Sequence, residues 1–166
     1  MEVLFQGKPQ KTVGDLPAVG DNLPKFKVKN KDNQIVKTAN IIGKPTVISV
    51  VPDIDSGICS IETKKFNQQA DKFKNVKFIT ISNNTIEQQT KWCAAKGVSN
   101  LELLSDVESS FGYETGTYLE NMGVLARVIF VIDSDGKIIY RQIVPEIASE
   151  PNYDEVLSFL EKLNYY

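Results

Sequence analysis

TVISVVPDIDSGIC, residues 46–59, is the stretch in which a strand runs directly into a helix, and this junction decides the fold. Residues 46–51 are mostly apolar and β-branched and have a proline on either side, which predicts a strand buried on both faces. Ser56 then occupies the position of an N-cap, and a helix is predicted from about Gly57 to Lys74. A buried strand followed by a helix is typical of the start of a βαβ unit.

The rest of the sequence continues this alternation. Further strands are predicted over residues 76–82, 101–104, 127–133 and 137–144, further helices over 86–96 (ended by Gly97) and 152–164, and a hairpin from 26–28 and 34–37. The last two strands are joined by a turn at Ser134-Asp-Gly136. This order predicts an α/β protein with a thioredoxin-like fold: a central mixed β-sheet flanked by helices, with an N-terminal β-hairpin.

The bulk properties indicate one globular domain. Residues 1–7, MEVLFQG, resemble the scar of an expression tag and are excluded from the fold prediction, so that residues 8–166 form the domain. A net charge of −2 without a basic block predicts no nucleic-acid binding. No apolar run approaches the roughly 20 residues of a membrane span. We expect a cytoplasmic protein, while the altered N-terminus leaves open whether a signal peptide was removed.

The types of residue available limit the chemistry. The chain has two cysteines and no histidine. A structural zinc site normally needs four Cys or His ligands, and Ser-His or Cys-His catalysis needs a histidine, so these classes are excluded. Any reactive cysteine must therefore be activated by something other than an imidazole.

Cys59 is the first candidate for such a thiol. With Ser56 as N-cap, Cys59 is the third residue of the helix, close to unpaired N–H groups and the positive end of the helix dipole, which favours a thiolate. The Ser56 hydroxyl could cap the helix, donate a hydrogen bond to the sulfur or orient a substrate oxygen. Pro52 ends the strand and could shield one side of the site. Alternatively, Cys59 is a small buried apolar residue, as free cysteines often are.

Cys93 and Arg127 are two further candidates, each with an ordinary alternative. Cys93 lies on the second predicted helix, where it is either reactive or a core residue beside Trp92. Arg127 begins an intensely apolar strand, where a cation is costly unless it is paired. It could form a salt bridge with an acid, or act as a fixed cation that keeps Cys59 ionised and polarises an oxygen–oxygen bond.

These residues together resemble the peroxiredoxins, and more narrowly the bacterial thiol peroxidase subfamily. The family pattern Pro-x-x-x-Thr/Ser-x-x-Cys with a distant Arg matches Pro52, Ser56, Cys59 and Arg127. Subfamily segments are also matched, at residues 54–59, 65–67, 91–93, 125–127, 144–147 and 150–151. The similarity extends from Thr12 to Leu163.

The resemblance implies a thioredoxin-dependent peroxidase. Cys59 would be the peroxidatic cysteine, oxidised to a sulfenic acid by hydrogen peroxide or an alkyl hydroperoxide. Cys93 would be the resolving cysteine, which closes an intrachain Cys59–Cys93 disulfide that thioredoxin reduces. The family needs no metal or organic cofactor and usually forms homodimers. A second reading is a peroxide-sensing thiol switch that passes its disulfide to a partner protein.

Three segments depart from the subfamily, at Asp53, at residues 83–86 and at Tyr113-Glu-Thr-Gly116. Asp53 replaces a small residue, and its carboxylate would oppose a thiolate if it faced the pocket but have no effect if it faced solvent. Residues 83–86, Asn-Asn-Thr-Ile, replace the more usual Asp-Leu-Pro-Phe before the second helix. In the family such segments contribute to the substrate entrance and to dimer contacts.

Overall fold

The computed structural model of the protein describes residues 1–163, which form a mixed sheet of seven strands with helices packed on it. The strands are β1 Glu2–Phe5, β2 Lys8–Lys11, β3 Lys27–Lys29, β4 Ile35–Lys37, β5 Thr46–Val50, β6 Lys77–Ser82, β7 Glu102–Ser105, β8 Tyr118–Leu119, β9 Val124–Leu125, β10 Val128–Ile132 and β11 Ile138–Ile143. The helices are α1 Thr38–Ile41, α2 Gly57–Ala70, α3 Ile86–Lys96, α4 Ser110–Glu114 and α5 Tyr153–Lys162.

The sheet has the order β11-β10-β5-β6-β7-β3-β4. Strands β5, β6 and β7 are parallel, whereas β10 and β11 on one side and β3 and β4 on the other are antiparallel to their neighbours. All five residues of β5 and of β10 are buried, because these adjacent central strands are covered on both faces. The predicted thioredoxin-like α/β fold is therefore confirmed.

Alternate residues of the central strands supply the two faces of the core. Val47 and Val131 belong to the cluster that packs under α2 and α5, together with Phe66 and Leu160. Ile48 belongs to the cluster on the opposite face. Because the side chains of a strand point alternately to the two faces, this arrangement fixes the register and leaves the carboxyl end of β5 to lead into α2.

The predicted helices differ from the observed ones mainly at their ends. Helix α2 ends at Ala70 rather than Lys74, because the N–H of Lys72 turns back to the carbonyl of Gln69. Phe73 has helical spacing in the sequence, but it is buried because it packs in the core after the helix has ended. Helix α5 ends at Lys162, and Asn164, where the prediction ended it, lies outside the described residues.

Residues 1–7 are part of the folded structure, which corrects their exclusion from the fold. Strand β1 pairs antiparallel with β2, and Val3 is only 2% exposed. The apolar side chain of Val3 alternates with exposed neighbours, which is the pattern of a half-buried strand. Their origin in an expression tag stays a prediction. The helices within residues 1–163 are all too short or too polar to cross a membrane.

Candidate active site around Cys59

Cys59 lies at the N-terminus of α2 and is completely buried as a free thiol. Ser56 is the N-cap residue, and its hydroxyl oxygen accepts the backbone N–H of Cys59 at 3.2 Å. The predicted cap and the third helical position of Cys59 are therefore confirmed. Of the three roles considered for the Ser56 hydroxyl, the structure shows the capping one.

The loop between β5 and α2 contains Pro52 and Ser56 and leads directly to Cys59 in the first turn of α2. Pro52 is half-buried and follows Val51, whose N–H still bonds to the carbonyl of Ile81 at 3.0 Å. The loop therefore leaves the sheet immediately after Val51. It reaches the N-terminus of α2 only four residues after Pro52.

A hydrogen-bonded contact with Asn84 decides the orientation of Asp53. Asn84 Nδ2 donates to Asp53 Oδ1 at 3.0 Å, and the N–H of Asp55 donates to the same oxygen at 3.0 Å. In return, Asn84 Oδ1 accepts the N–H of Ile54 at 2.8 Å. Two of the positions that depart from the subfamily, Asp53 and Asn84, therefore contact each other, and the Asp53 carboxylate is turned to Asn84 and to its own loop.

Arg127 lies next to this loop and is 2% exposed. Its Nη1 donates to Glu62 Oε1 at 2.8 Å, and its Nε donates to the carbonyl oxygen of Ile147 at 2.9 Å. The guanidinium also interacts with the Cys59 side chain. The salt bridge considered for Arg127 is therefore present, and the same side chain lies beside the thiol. Its role in ionising Cys59 and polarising an oxygen–oxygen bond stays a prediction.

The electrostatics of this group follow from burial and from the neighbouring charges. Burial opposes the charged form of Arg127, but the negative charge of Cys59, and then that of Glu62, raise the pKa of Arg127 above its ordinary value. Burial raises the pKa of Glu62, and Arg127 and the Ser49 hydroxyl offset only part of this effect. The arrangement thus holds the Arg127 cation beside the Cys59 sulfur and the Glu62 carboxyl group.

Glu62 is a site residue that the sequence analysis did not identify. It is completely buried, and the Ser49 hydroxyl donates a hydrogen bond to its Oε2. One signal was available, because Glu62 follows Cys59 by three residues and therefore lies on the same face of α2. A cation buried in an apolar strand needs an acidic partner on a neighbouring element, and the spacing from Cys59 makes Glu62 the candidate for Arg127.

Cys93 is placed on α3, outside the group around Arg127. It is a half-buried free thiol that packs against Trp92, Val98 and other apolar residues, and burial raises its pKa while Lys31 partly offsets this. A hydrogen bond from Trp92 Nε1 to Ser60 Oγ, 3.3 Å long, joins the two helices. This bond is adjacent in sequence to both cysteines, because Ser60 follows Cys59 and Trp92 precedes Cys93.

Comparison with known proteins gives a consistent result. Residues 18–157 match the family model described as Redoxin. The chain is 38% identical over 163 residues to a thiol peroxidase of Bacillus subtilis, covering 98% of each chain. It is 40% identical over 161 residues to a thiol peroxidase of Oceanobacillus iheyensis, covering 96% of this chain and 98% of the relative. A crystal structure of a peroxiredoxin-like protein from Aquifex aeolicus aligns with a TM-score of 0.89 and 34% identity, covering 98% of this chain and 96% of that one.

Proposed function

We propose that Cys59 is the peroxidatic cysteine of this chain. The premise is that the chain belongs to the Redoxin family, as a thiol peroxidase of the peroxiredoxin type. The observation that carries the proposal is the contact between Cys59 and Arg127. A buried guanidinium beside a sulfur at a helix N-terminus can bind the peroxide oxygen on which negative charge develops when the sulfur attacks.

The first step is a two-electron oxidation of sulfur. The Cys59 thiolate attacks the terminal oxygen of a hydroperoxide, a sulfur–oxygen bond forms and the oxygen–oxygen bond breaks. The leaving oxygen takes the electron pair and a proton, so hydrogen peroxide gives water and an alkyl hydroperoxide gives an alcohol. Cys59 is left as a sulfenic acid. Arg127 stabilises the charge on the departing oxygen, and Glu62 holds the guanidinium in place.

The second step is resolution by Cys93. The Cys93 sulfur attacks the Cys59 sulfenic acid, water leaves, and an intrachain disulfide forms. Thioredoxin then reduces this disulfide by dithiol exchange. Because the cysteines start on separate helices and Cys59 is completely buried, the disulfide requires local unwinding around α2, α3 or both. The Trp92–Ser60 bond would break in that movement.

The remaining features of the proposal rest on the family resemblance. Substrates are hydrogen peroxide and alkyl hydroperoxides, the assembly is a homodimer, and the compartment is the cytoplasm. The reaction needs no metal or organic cofactor, because sulfur supplies both electrons.

Stopped-flow fluorescence tests the proposal directly. Trp92 is the single tryptophan of the chain and bonds to the residue after Cys59, so its emission should change when Cys59 is oxidised. We expect Cys59→Ser to abolish peroxide consumption. Cys93→Ser should still consume one equivalent of peroxide but should not be recycled by thioredoxin. Full turnover by the Cys59 variant would contradict the proposal, and slow oxidation with a stable mixed disulfide to another protein would favour the thiol switch.

A further inference from the structure

Strand β1 is hydrogen-bonded to a segment close to the other end of the chain. The N–H of Leu4 donates to the carbonyl of Pro145 at 2.7 Å, and the N–H of Ile147 donates to the carbonyl of Leu4 at 2.9 Å. The N–H of Gln6 donates to Glu146 Oε1 at 2.5 Å. Residues 145–147 follow β11 and belong to neither a helix nor a main strand, so these bonds from the N-terminal hairpin supply a large part of their backbone support.

The same segment, residues 145–147, also accepts a hydrogen bond from the Arg127 side chain. The carbonyl of Ile147 accepts Arg127 Nε at 2.9 Å, and the N–H of Val144 donates to the backbone carbonyl of Arg127 at 3.1 Å. The N–H of Ile147 is therefore hydrogen-bonded to β1, and its carbonyl is hydrogen-bonded to the guanidinium of Arg127. Since Ile147 is 2% exposed, water cannot readily replace either partner.

We propose that strand β1 is a positioning element for Arg127, acting through Ile147 on the reaction at Cys59. The inference rests on the proposed function, because it assigns a role in the same reaction. A guanidinium directs its donors in one plane, so the acceptor at Nε fixes where the Nη atoms point. If β1 detaches, the Ile147 carbonyl is free to shift, and the guanidinium loses the orientation that serves the sulfur and the departing oxygen.

The contacts of Leu4 make this role testable by a single change. Leu4 is 37% exposed and belongs to none of the core clusters of the described residues, whereas its backbone makes two hydrogen bonds to residues 145–147. Leu4 lies opposite Pro9 in the hairpin, and its N–H points away from β2 to Pro145. Leu4→Pro removes this donor but leaves the bonds between β1 and β2 in place.

Glu2→Pro provides the matched control. Glu2 lies in the same strand two residues earlier, so its N–H also points away from β2, and its side chain is exposed. This variant introduces a proline into β1 while the Leu4 bonds to residues 145–147 remain. A general effect of proline on the hairpin would appear in both variants.

The experiment has two readouts. Stopped-flow gives the second-order rate constant of Cys59 with hydrogen peroxide, and iodoacetamide alkylation in a Cys93→Ser background gives a pH profile of thiolate reactivity. We expect Leu4→Pro to lower the peroxide rate constant roughly two- to tenfold, the factor that corresponds to one net hydrogen bond of about 0.5–1.5 kcal/mol. The alkylation profile should move to higher pH, and Glu2→Pro should match the unsubstituted protein in both readouts.

The outcomes separate the two proposals. If the unsubstituted protein does not oxidise at Cys59, the proposed function fails, whereas the alkylation profile still tests the positioning role. If it oxidises rapidly and Leu4→Pro behaves like Glu2→Pro, the function stands and the role of β1 is wrong. Should Leu4→Pro fail to fold, a chain that lacks residues 1–7 decides, because it has neither of the bonds between Leu4 and residues 145–147. An alkylation profile and rate equal to those of the unsubstituted protein would then overturn the inference.

Discussion

Arg127→Met should lower the free energy of unfolding by about 3–5 kcal/mol, because it leaves a buried carboxylate without its cation. Glu62 is 0% and Arg127 2% exposed, and Nη1 and Oε1 are 2.8 Å apart. Urea denaturation at pH 7 measures the loss. The deficit should shrink as the pH falls, because Arg127 lowers the pKa of Glu62 against the effect of burial. Without Arg127 this pKa rises further, and a raised folded-state pKa adds stability at low pH.

The double variant Arg127→Met/Glu62→Gln separates stability from catalysis. The introduced glutamine has no charge to bury and keeps an acceptor for the Ser49 hydroxyl, so most of the lost stability should return. The peroxide rate constant should stay roughly 100-fold or more below that of the unsubstituted protein, since no donor faces the departing oxygen. A free energy of unfolding for Arg127→Met within about 1 kcal/mol of the unsubstituted protein would refute the stabilising role of this ion pair. Recovery of the peroxide rate in the double variant would refute the role of Arg127 at the departing oxygen.

Three further changes test other parts of the structure. Asn84→Ala leaves the buried N–H of Ile54 without its acceptor, so we expect the free energy of unfolding in urea to fall by about 1–3 kcal/mol. Disulfide formation, followed by mass spectrometry, should be faster in this variant, and slower formation would contradict this. Burial raises the pKa of Asp106 from 3.8 to about 6, so its stabilising contribution should be lost as the pH rises from about 4 to 6. Compared with Asp106→Asn, the unsubstituted protein should lose about 3 kcal/mol over that range in urea denaturation, since a tenfold change in proton affinity is about 1.4 kcal/mol. Gly116→Ala should lower thermal stability by about 1–3 kcal/mol, because Gly116 has φ +73° and a Cβ would lie 2.7 Å from the carbonyl oxygen of Asp15; a melting temperature unchanged by the substitution would contradict this.

The parts of the fold that the sequence predicted best are those with local causes. Ser56 caps α2, and Gly97 ends α3 in the left-handed conformation, as the residue types required. The central strands were recognisable because burial on both faces demands a continuous apolar run. In each case the information lies within a few neighbouring residues.

The features that the sequence did not reveal depend on contacts between distant residues. Glu62 looks like any helical carboxylate until Arg127, 65 residues away, is known to lie beside it. The contact of Asn84 with Asp53 spans 31 residues and is visible only once β6 is placed next to β5. Strand β1 was missed for another reason, since its resemblance to a tag concealed a buried alternate residue, Val3.

The distance along the chain between β1 and residues 145–147 also sets the order in which the contacts of Arg127 form. Gln6 and its acceptor are 140 residues apart, so β1 is synthesised well before its partner and cannot pair until residues 145–147 have left the ribosome. A nascent chain therefore holds Cys59 without a fixed Arg127 beside it. On the proposed role of β1, the thiol becomes a fast nucleophile only after residues 145–147 are in place, by which time Cys93 has also been synthesised.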